Sequence, residues 1–447
     1  MATIVISMFP EEGHLIPSFK LGKRLKAQGH RVYYLALADF EAYVRSQGFD
    51  YLALLPEEFP LGFRPQQIER IATTKGRSFL KEVSHTPFYR ALCQTVLEPQ
   101  NSIKASLLEV GADLCLIDGF MAPLSLMVQH MGLAVLSLSI NINLPQAANY
   151  PPVVTNIIPD ATPASPSKAS MAWKFSGIAV KITNLLVGFN FQKALTKVAT
   201  HFGFPADLIV PAALFPRLRP QLEIPEIVLC PQTFDFPRPS LEQGIFYCEA
   251  SIDLDRQEAA FDWSQIDPSK PLIFCTLGSQ SHIYKSSRRF FQTVIDTLRE
   301  HPEWQLVMAL GSKFQAQEFQ NVPANVQLLQ WASVEQILPR ASVMITHGGV
   351  GTVKECLYFN LPMLVFPGNR DQPGYAARVV YHGLGLMGTM AKVSAESLAT
   401  MLSDVIQNPS FKQRVTEMGT EFRALEAAMP ALELIQSKLP NSRTVAS

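Results

Sequence analysis

Two doubly wound α/β domains are the fold this 447-residue sequence predicts, and three observations lead there. Apolar runs alternate with stretches of helical period, which implies βαβ units and a parallel sheet. The alternation occurs twice, on either side of a proline-rich break. The length also exceeds the ~250–300 residues at which a single hydrophobic core stops growing.

The first apolar run, 3–9, has no basic residue before it and reads as a strand rather than the core of a signal peptide. Strands are expected next at 31–37, 51–55, 114–118 and 134–140, with helical stretches such as 16–28 and 89–109 between them. In the second half strands fit at 272–277, 304–310, 326–330, 343–346 and 362–366. Helices fit at 286–300, 351–359, 373–381, 395–407 and 411–427. The break falls at 231–242, where Pro231, Pro237 and Pro239 coincide with charge and a loss of periodicity. That gives an amino-terminal domain over 1–235, a carboxy-terminal domain over 243–428 and a final helical segment over 429–447. The segment 141–170, rich in Pro, Asn, Ala and Ser, follows the last amino-domain strand, where loops of parallel sheets contact ligands. The polar end, 441–447, reads as frayed.

Lys plus Arg and Asp plus Glu are equal at 38 each, so no basic excess draws the chain to nucleic acid. At 47% hydrophobic it is a folded protein, and at 17% charged it is poor in charge. No Lys, Arg, Asp or Glu occurs from 119 to 159. Pro123, Gln129, His130 and Gly132 interrupt the first half of that stretch and Pro145, Pro151, Pro152 and Pro159 the second. A membrane span needs ~20 unbroken apolar residues, so a helix ending near Gly132, a buried strand and a loop are expected instead. The apolar stretch 173–204, punctuated by Lys174, Lys181, Lys193 and Lys197, has two readings. It is an amphipathic element touching a membrane surface, or, preferably, a pocket wall or domain-packing helix. Cysteines 93, 115, 230, 248, 275 and 356 form no C-x-x-C pair and have no nearby His at zinc-ligand spacing. A cytoplasmic protein without a structural metal is the expectation.

Chemistry concentrates in 331–372. The strand 343–346 runs into His347-Gly348-Gly349-Val350-Gly351-Thr352, and a helix follows. Glycines at such a junction let a ligand approach the backbone and the N–H groups of the helix N-terminus, which suits a diphosphate. The plainer reading is a helix cap with glycines for packing. Glu355, one helical turn after Thr352, points toward the same end and can accept bonds from ribose hydroxyls. The dinucleotide and P-loop glycine fingerprints are both absent.

The segment resembles the donor-binding signature of UDP-sugar-dependent glycosyltransferases of the GT-B fold, the group of plant secondary-product and bacterial macrolide or antibiotic enzymes. The resemblance implies that Trp331 stacks on the nucleotide base and the backbone at Ala332 bonds the base edge. It implies that His347, Gly349, Gly351 and Thr352 hold the diphosphate, Glu355 the ribose, and Asp371 and Gln372 the sugar hydroxyls. Leu277-Gly278-Ser279 matches a phosphate-contacting Gly-Ser. Gly13-His14-Leu15-Ile16-Pro17, with Gly29-His30-Arg31-Val32, matches the first strand–loop–helix unit, Gly13 falling beside the donor. Ser333-Val334, Val350-Gly351-Thr352 and Asn369 depart from the plant pattern and suit a bacterial-type enzyme. The implied fold is GT-B: two Rossmann-like domains facing each other across a cleft, acceptor on the first and donor on the second.

His14 follows the first strand in a Gly-containing loop at the carboxyl edge of the sheet, where active sites of open α/β folds lie. Asp118 ends the strand 114–117 at the same edge. An Asp that accepts the Nδ1–H of a His fixes its tautomer, and in the resembled family the pair acts as general base and partner. Taken singly, His14 reads as a loop histidine and Asp118 as a helix N-cap. The expected activity is inverting transfer of a hexose, glucose foremost, from a UDP-sugar to a hydroxyl of an apolar small molecule. The UDP-sugar is a co-substrate, with no further cofactor and no metal. The alternatives are a sugar-nucleotide epimerase of the same fold, which the charge-free 119–159 stretch disfavours, and a non-catalytic nucleotide-sugar binder, in which the His or the Asp is commonly lost.

Overall fold

The computed structural model describes residues 1–147, 149–159, 168–219, 224–238, 241, 243–255, 260–278, 281–311 and 313–439. The first sheet begins with β1 (Thr3–Ser7), β2 (Arg31–Ala36), β3 (Asp50–Ala53), β4 (Leu114–Asp118) and β5 (Ala134–Ser139). A short antiparallel ribbon follows, β6 (Ile209–Val210) with β7 (Arg217–Leu218). Two three-residue strands, β8 (Glu226–Val228) and β9 (Ile245–Tyr247), complete the sheet in the order β3-β2-β1-β4-β5-β8-β9, all parallel. The second sheet contains β10 (Leu272–Thr276), β11 (Gln305–Ala309), β12 (Val326–Leu329), β13 (Val343–Thr346), β14 (Met363–Val365) and β15 (Gly385–Met387). Its order is β12-β11-β10-β13-β14-β15, again parallel. Every residue of β1, β4, β11 and β13 is buried. These near-continuous apolar runs belong to sheets covered by helices on both faces.

Each sheet has one place where successive crossovers turn to opposite sides. In the first it lies between β1 and β4, in the second between β10 and β13. A crevice opens outside the carboxyl ends of the strands at such a switch point, and ligands of open α/β sheets bind there. His14 and Asp118 follow β1 and β4; Gly278 and His347 follow β10 and β13.

Several sequence expectations change. The domain boundary does not fall between 235 and 243, because β9 pairs with β8 in the first sheet and carries that domain to at least Tyr247. The proline-rich stretch is a connection between neighbouring parallel strands, and three-residue strands are too short to show a period. The expected helix over 89–109 is two, Thr86–Thr95 and Ser102–Glu109; Pro99 lies between them and the Asn101 side chain caps the second, accepting from the Lys104 N–H at 2.9 Å. The first helix, Glu12–Ala27, starts four residues earlier than expected. The segment 141–170 runs into a helix, Lys168–Val187, at its end. The last helix, Pro430–Lys438, packs on the first, with Gln436 donating to Gln28 at 2.6 Å. The tail 441–447 lies outside the described residues.

Buried polar contacts join the two halves. Arg378, fully buried on the helix Gln372–Tyr381, donates from Nε and Nη2 to Asp235 Oδ1 at 2.9 and 2.6 Å. Tyr150 donates to the same carboxylate at 2.6 Å, and the Tyr247 hydroxyl also reaches it. Lys354, buried in the second domain, donates to the carbonyls of Leu229 and Ala250 at 2.7 and 2.9 Å. A Cβ on Gly374 would lie 2.2 Å from the Val153 carbonyl oxygen, so only glycine lets that helix approach the 150–157 segment so closely.

A buried pair broken on one side leaves an uncompensated charge. Arg378→Met is therefore expected to lower stability by ~3–5 kcal/mol, read by urea unfolding, whereas a loss within error would mean that this contact does not hold the halves together.

Candidate active site

His14 is not in a loop. It sits in the first turn of the helix Glu12–Ala27, with its imidazole Nδ1 2.7 Å from Asp118 Oδ2. Both side chains are buried. Asp118 is fixed from two further sides: Oδ2 accepts the Phe9 N–H at 3.2 Å and Oδ1 the Phe120 N–H at 2.9 Å. A carboxylate has only acceptors, so Nδ1 carries the proton and Nε2 is left as the basic atom. Phe9 and Phe120 flank the ring at 5.3 and 5.2 Å between centroids. Burial opposes charging this imidazole, but the Asp118 carboxylate and its hydrogen bond, with Glu11 and Asp371 behind, outweigh it and raise the pKa.

Beside the pair lies an ionic cluster that sequence reasoning missed. Glu11, just before the first helix, accepts from the His85 ring Nε2 at 2.6 Å and takes both contacts of Arg370 Nη1, at 2.9 and 2.8 Å. Arg370 belongs to the second domain, so this contact crosses the cleft next to His14. Burial works against the Glu11 charge, yet Arg370, His85 and His14 together hold its carboxyl well below the usual range. Its only sequence signal is adjacency: Glu11 precedes His14 by three residues and Arg370 directly precedes Asp371.

On the second domain His347 leads from β13 into the helix Val350–Tyr358, with Gly349 at its N-cap. Gly278 and Gly349 cradle the half-buried ring: a Cβ on either would lie within 2.7 or 2.8 Å of it. Gly348 adopts φ +84°, and a Cβ there would meet Val365. Among the described residues no carboxylate faces this histidine, and burial pushes its pKa down to about 4. It is a neutral ring in a glycine cradle, with the Thr346 hydroxyl 3.5 Å from its Nδ1, whereas the His14 ring is held against a carboxylate.

The other expected residues follow along the carboxyl edge of the second sheet. Trp331, after β12, is 66% exposed, and Ala332 beside it is buried. Gly351 and Thr352 lie in the first turn of the helix after His347, and Glu355 in the next; all three are half-buried. A Cβ on Gly351 or Gly13 would meet nothing within 4 Å, so both present open backbone. Asp371 is close enough for its charge to bias His14, and burial raises its own pKa. Gln372 is largely committed within the protein. Its Oε1 accepts the N–H groups of Gly368 and Asn369 at 2.9 and 3.1 Å, and Nε2 donates to the Tyr284 hydroxyl at 2.7 Å. It shapes the loop that carries Asp371, and these bonds use one of its two amide hydrogens. Ser279 lies outside the described residues. Among the described residues no three His, Cys, Asp or Glu side chains gather to hold a metal ion.

The two histidines should titrate in opposite directions from the ordinary value of ~6.5. Histidine-resolved NMR titration is expected to place the His14 midpoint above that value and that of His347 at about 4; the reverse order would contradict the assigned environments.

Comparison with known proteins agrees with this geometry. Residues 295–437 match the family model described as Erythromycin biosynthesis protein CIII-like, C-terminal domain. A zeaxanthin glucosyltransferase of Pantoea ananas is 24% identical, the alignment covering 98% of this chain and 96% of that one. The solved kitacinnamycin glycosyltransferase superposes with a TM-score of 0.73 at 21% identity, over 98% of this chain and 99% of that one. The spinosyn rhamnosyltransferase SpnG, solved with thymidine diphosphate, superposes at 0.64 and 16% identity, over 98% and 99%. Two parallel sheets with their switch points turned to one cleft show the GT-B fold, and along its whole length the chain is similar to glycosyltransferases.

Proposed function

We propose that the chain is an inverting glycosyltransferase that moves a hexose, glucose foremost, from UDP to a hydroxyl of an apolar small molecule. The observation that carries the reading is the Asp118–His14 bond at the switch point of the first sheet. An acceptor hydroxyl gives its proton to His14 Nε2 while its oxygen forms the new bond to the anomeric carbon. The bond from that carbon to the diphosphate oxygen breaks in the same step, and the nucleoside diphosphate leaves with the electron pair. Asp118 balances the positive charge that grows on the imidazole.

The diphosphate is assigned to the turn after β13. Neutral His347 donates a ring N–H there, and the open backbone at Gly351 and Thr352 presents the N-terminal N–H groups of a helix. Exposed Trp331 serves as the platform for the base, Ala332 bonds its edge, and Glu355 accepts from the ribose. Asp371 is assigned to the sugar hydroxyls and lies close enough to His14 for its charge to act there, while Gly349 keeps the His347 cradle small. The acceptor side is aromatic: Phe9, Phe120 and Phe215 surround the approach to His14, with Phe120 and Phe215 at 4.8 Å. Such a wall suits an apolar acceptor and gives an epimerase nothing to use.

His14→Ala is expected to reduce transfer ~10²–10⁴-fold with the fold intact by circular dichroism; near-normal turnover would remove His14 from the role. The active imidazole is deprotonated, so the rate falls as pH falls through its raised pKa. Asp118→Asn removes the largest raising influence and leaves the burial, so the acid limb of kcat/KM should move to lower pH. Calorimetry should show tighter binding of UDP than of thymidine diphosphate, and loss of the UDP preference or no weakening in Glu355→Ala would contradict the donor assignment.

A further inference from the structure

The helix Lys168–Val187 turns a continuous apolar face to solvent. Met171, Phe175, Ile178, Ile182 and Leu185 recur at spacings of four and three and share one side of the helix; Phe175 is 70% and Leu185 74% exposed. Exposed Lys174 and Lys181 run along one flank of this stripe. No Asp or Glu occurs anywhere from 161 to 206. The helix Gly76–Val83, packed against it, adds exposed Arg77 and Lys81, and its one acid, Glu82, is paired with Arg70 at 3.0 Å.

The other side of the long helix is anchored. Ala169, Ala172, Trp173 and Val187 are buried, and the Trp173 indole N–H donates to the Tyr150 carbonyl at 2.7 Å. Arg90 donates to the Gly188 carbonyl at the far end, at 3.2 Å. The stripe is therefore held outward by a fixed base. No helix among the described residues is long and apolar enough to cross a membrane, so insertion across a bilayer is not the use of this face.

We infer that this helix docks the protein, lying in the plane of the interface, on an anionic lipid surface. An apolar stripe bordered by cations and free of acids has the chemistry of a helix that buries its face among acyl chains and sets its lysines at the headgroups. A second copy of the chain fits the same face less well, because like charges would meet with no acid to answer them. Phe189 follows the helix, and its ring begins a run through Tyr89 (6.2 Å), Phe215 (5.9 Å) and Phe120 (4.8 Å) to His14 (5.2 Å). Fully buried Tyr89 makes this run a packed wall that joins the foot of the helix to the surroundings of the base.

The test uses the full chain with phosphatidylcholine vesicles, with and without phosphatidylglycerol. The wild type should cosediment with the phosphatidylglycerol vesicles and less as salt is raised. Phe175→Glu with Leu185→Glu should weaken that binding about tenfold or more, and Lys174→Glu with Lys181→Glu should weaken it too. These positions are exposed, so the melting temperature and the calorimetric affinity for UDP should stay as in the wild type. No binding to phosphatidylglycerol vesicles, or equal binding by the Phe175/Leu185 variant, would overturn the inference. So would a dimer in sedimentation that the same variant dissolves while vesicles are ignored. If vesicles bind but UDP does not, the docking surface stands and the proposed donor falls.

Discussion

The hydrogen bond between Asp118 and His14 is the constraint around which the first domain is organised. It exists because β1 and β4 lie side by side at the switch point, so the chain leaving each strand delivers its side chain to the same crevice. Burial alone would leave this imidazole neutral and weakly basic. The carboxylate, immobilised by two backbone N–H groups, reverses that outcome and selects Nε2 as the free nitrogen. The same topology repeated in the second domain yields the opposite result at His347, where glycines bring the backbone close to the ring and, among the described residues, no carboxylate answers. One fold used twice thus places two histidines of different character at one cleft.

The site needs both halves, and their mutual position rests on a few desolvated polar contacts. Asp235 gathers Arg378 and two tyrosine hydroxyls, Lys354 reaches two carbonyls of the first domain, and Glu11 takes the Arg370 guanidinium beside the base. Polar contacts of this kind are directional, and each is costly to break one-sidedly. They fix where Asp371 stands relative to His14 in a way that apolar packing alone would not.

Much of this was legible in the sequence where a physical signal is local. Strands buried on both faces read as unbroken apolar runs, so β1, β4, β10, β11 and β13 are plain. The glycine turn at 347–352 and the Asp118 strand end carry their chemistry in a few adjacent residues. What escaped is what depends on tertiary closure. Strands β8 and β9 are too short to show a period, and their proline-rich connection looks like a linker. Glu11, His85 and Arg370 are far apart in the chain, and only folding makes them one cluster. Gln372 carries the residue type of a sugar ligand, yet its amide is mostly used to shape its own loop. The stripe on Lys168–Val187 was visible as apolar residues at helical spacing, but which side faces the protein is decided by Trp173 and its bond to Tyr150.

The most direct measurement of the central claim is the anomeric configuration of the product, read from the proton coupling at the sugar's first carbon by NMR. A single displacement assisted by His14 turns an α-linked UDP-hexose into a β-glycoside. A product that keeps the α configuration would contradict the account, because no single in-line displacement at that carbon can give it.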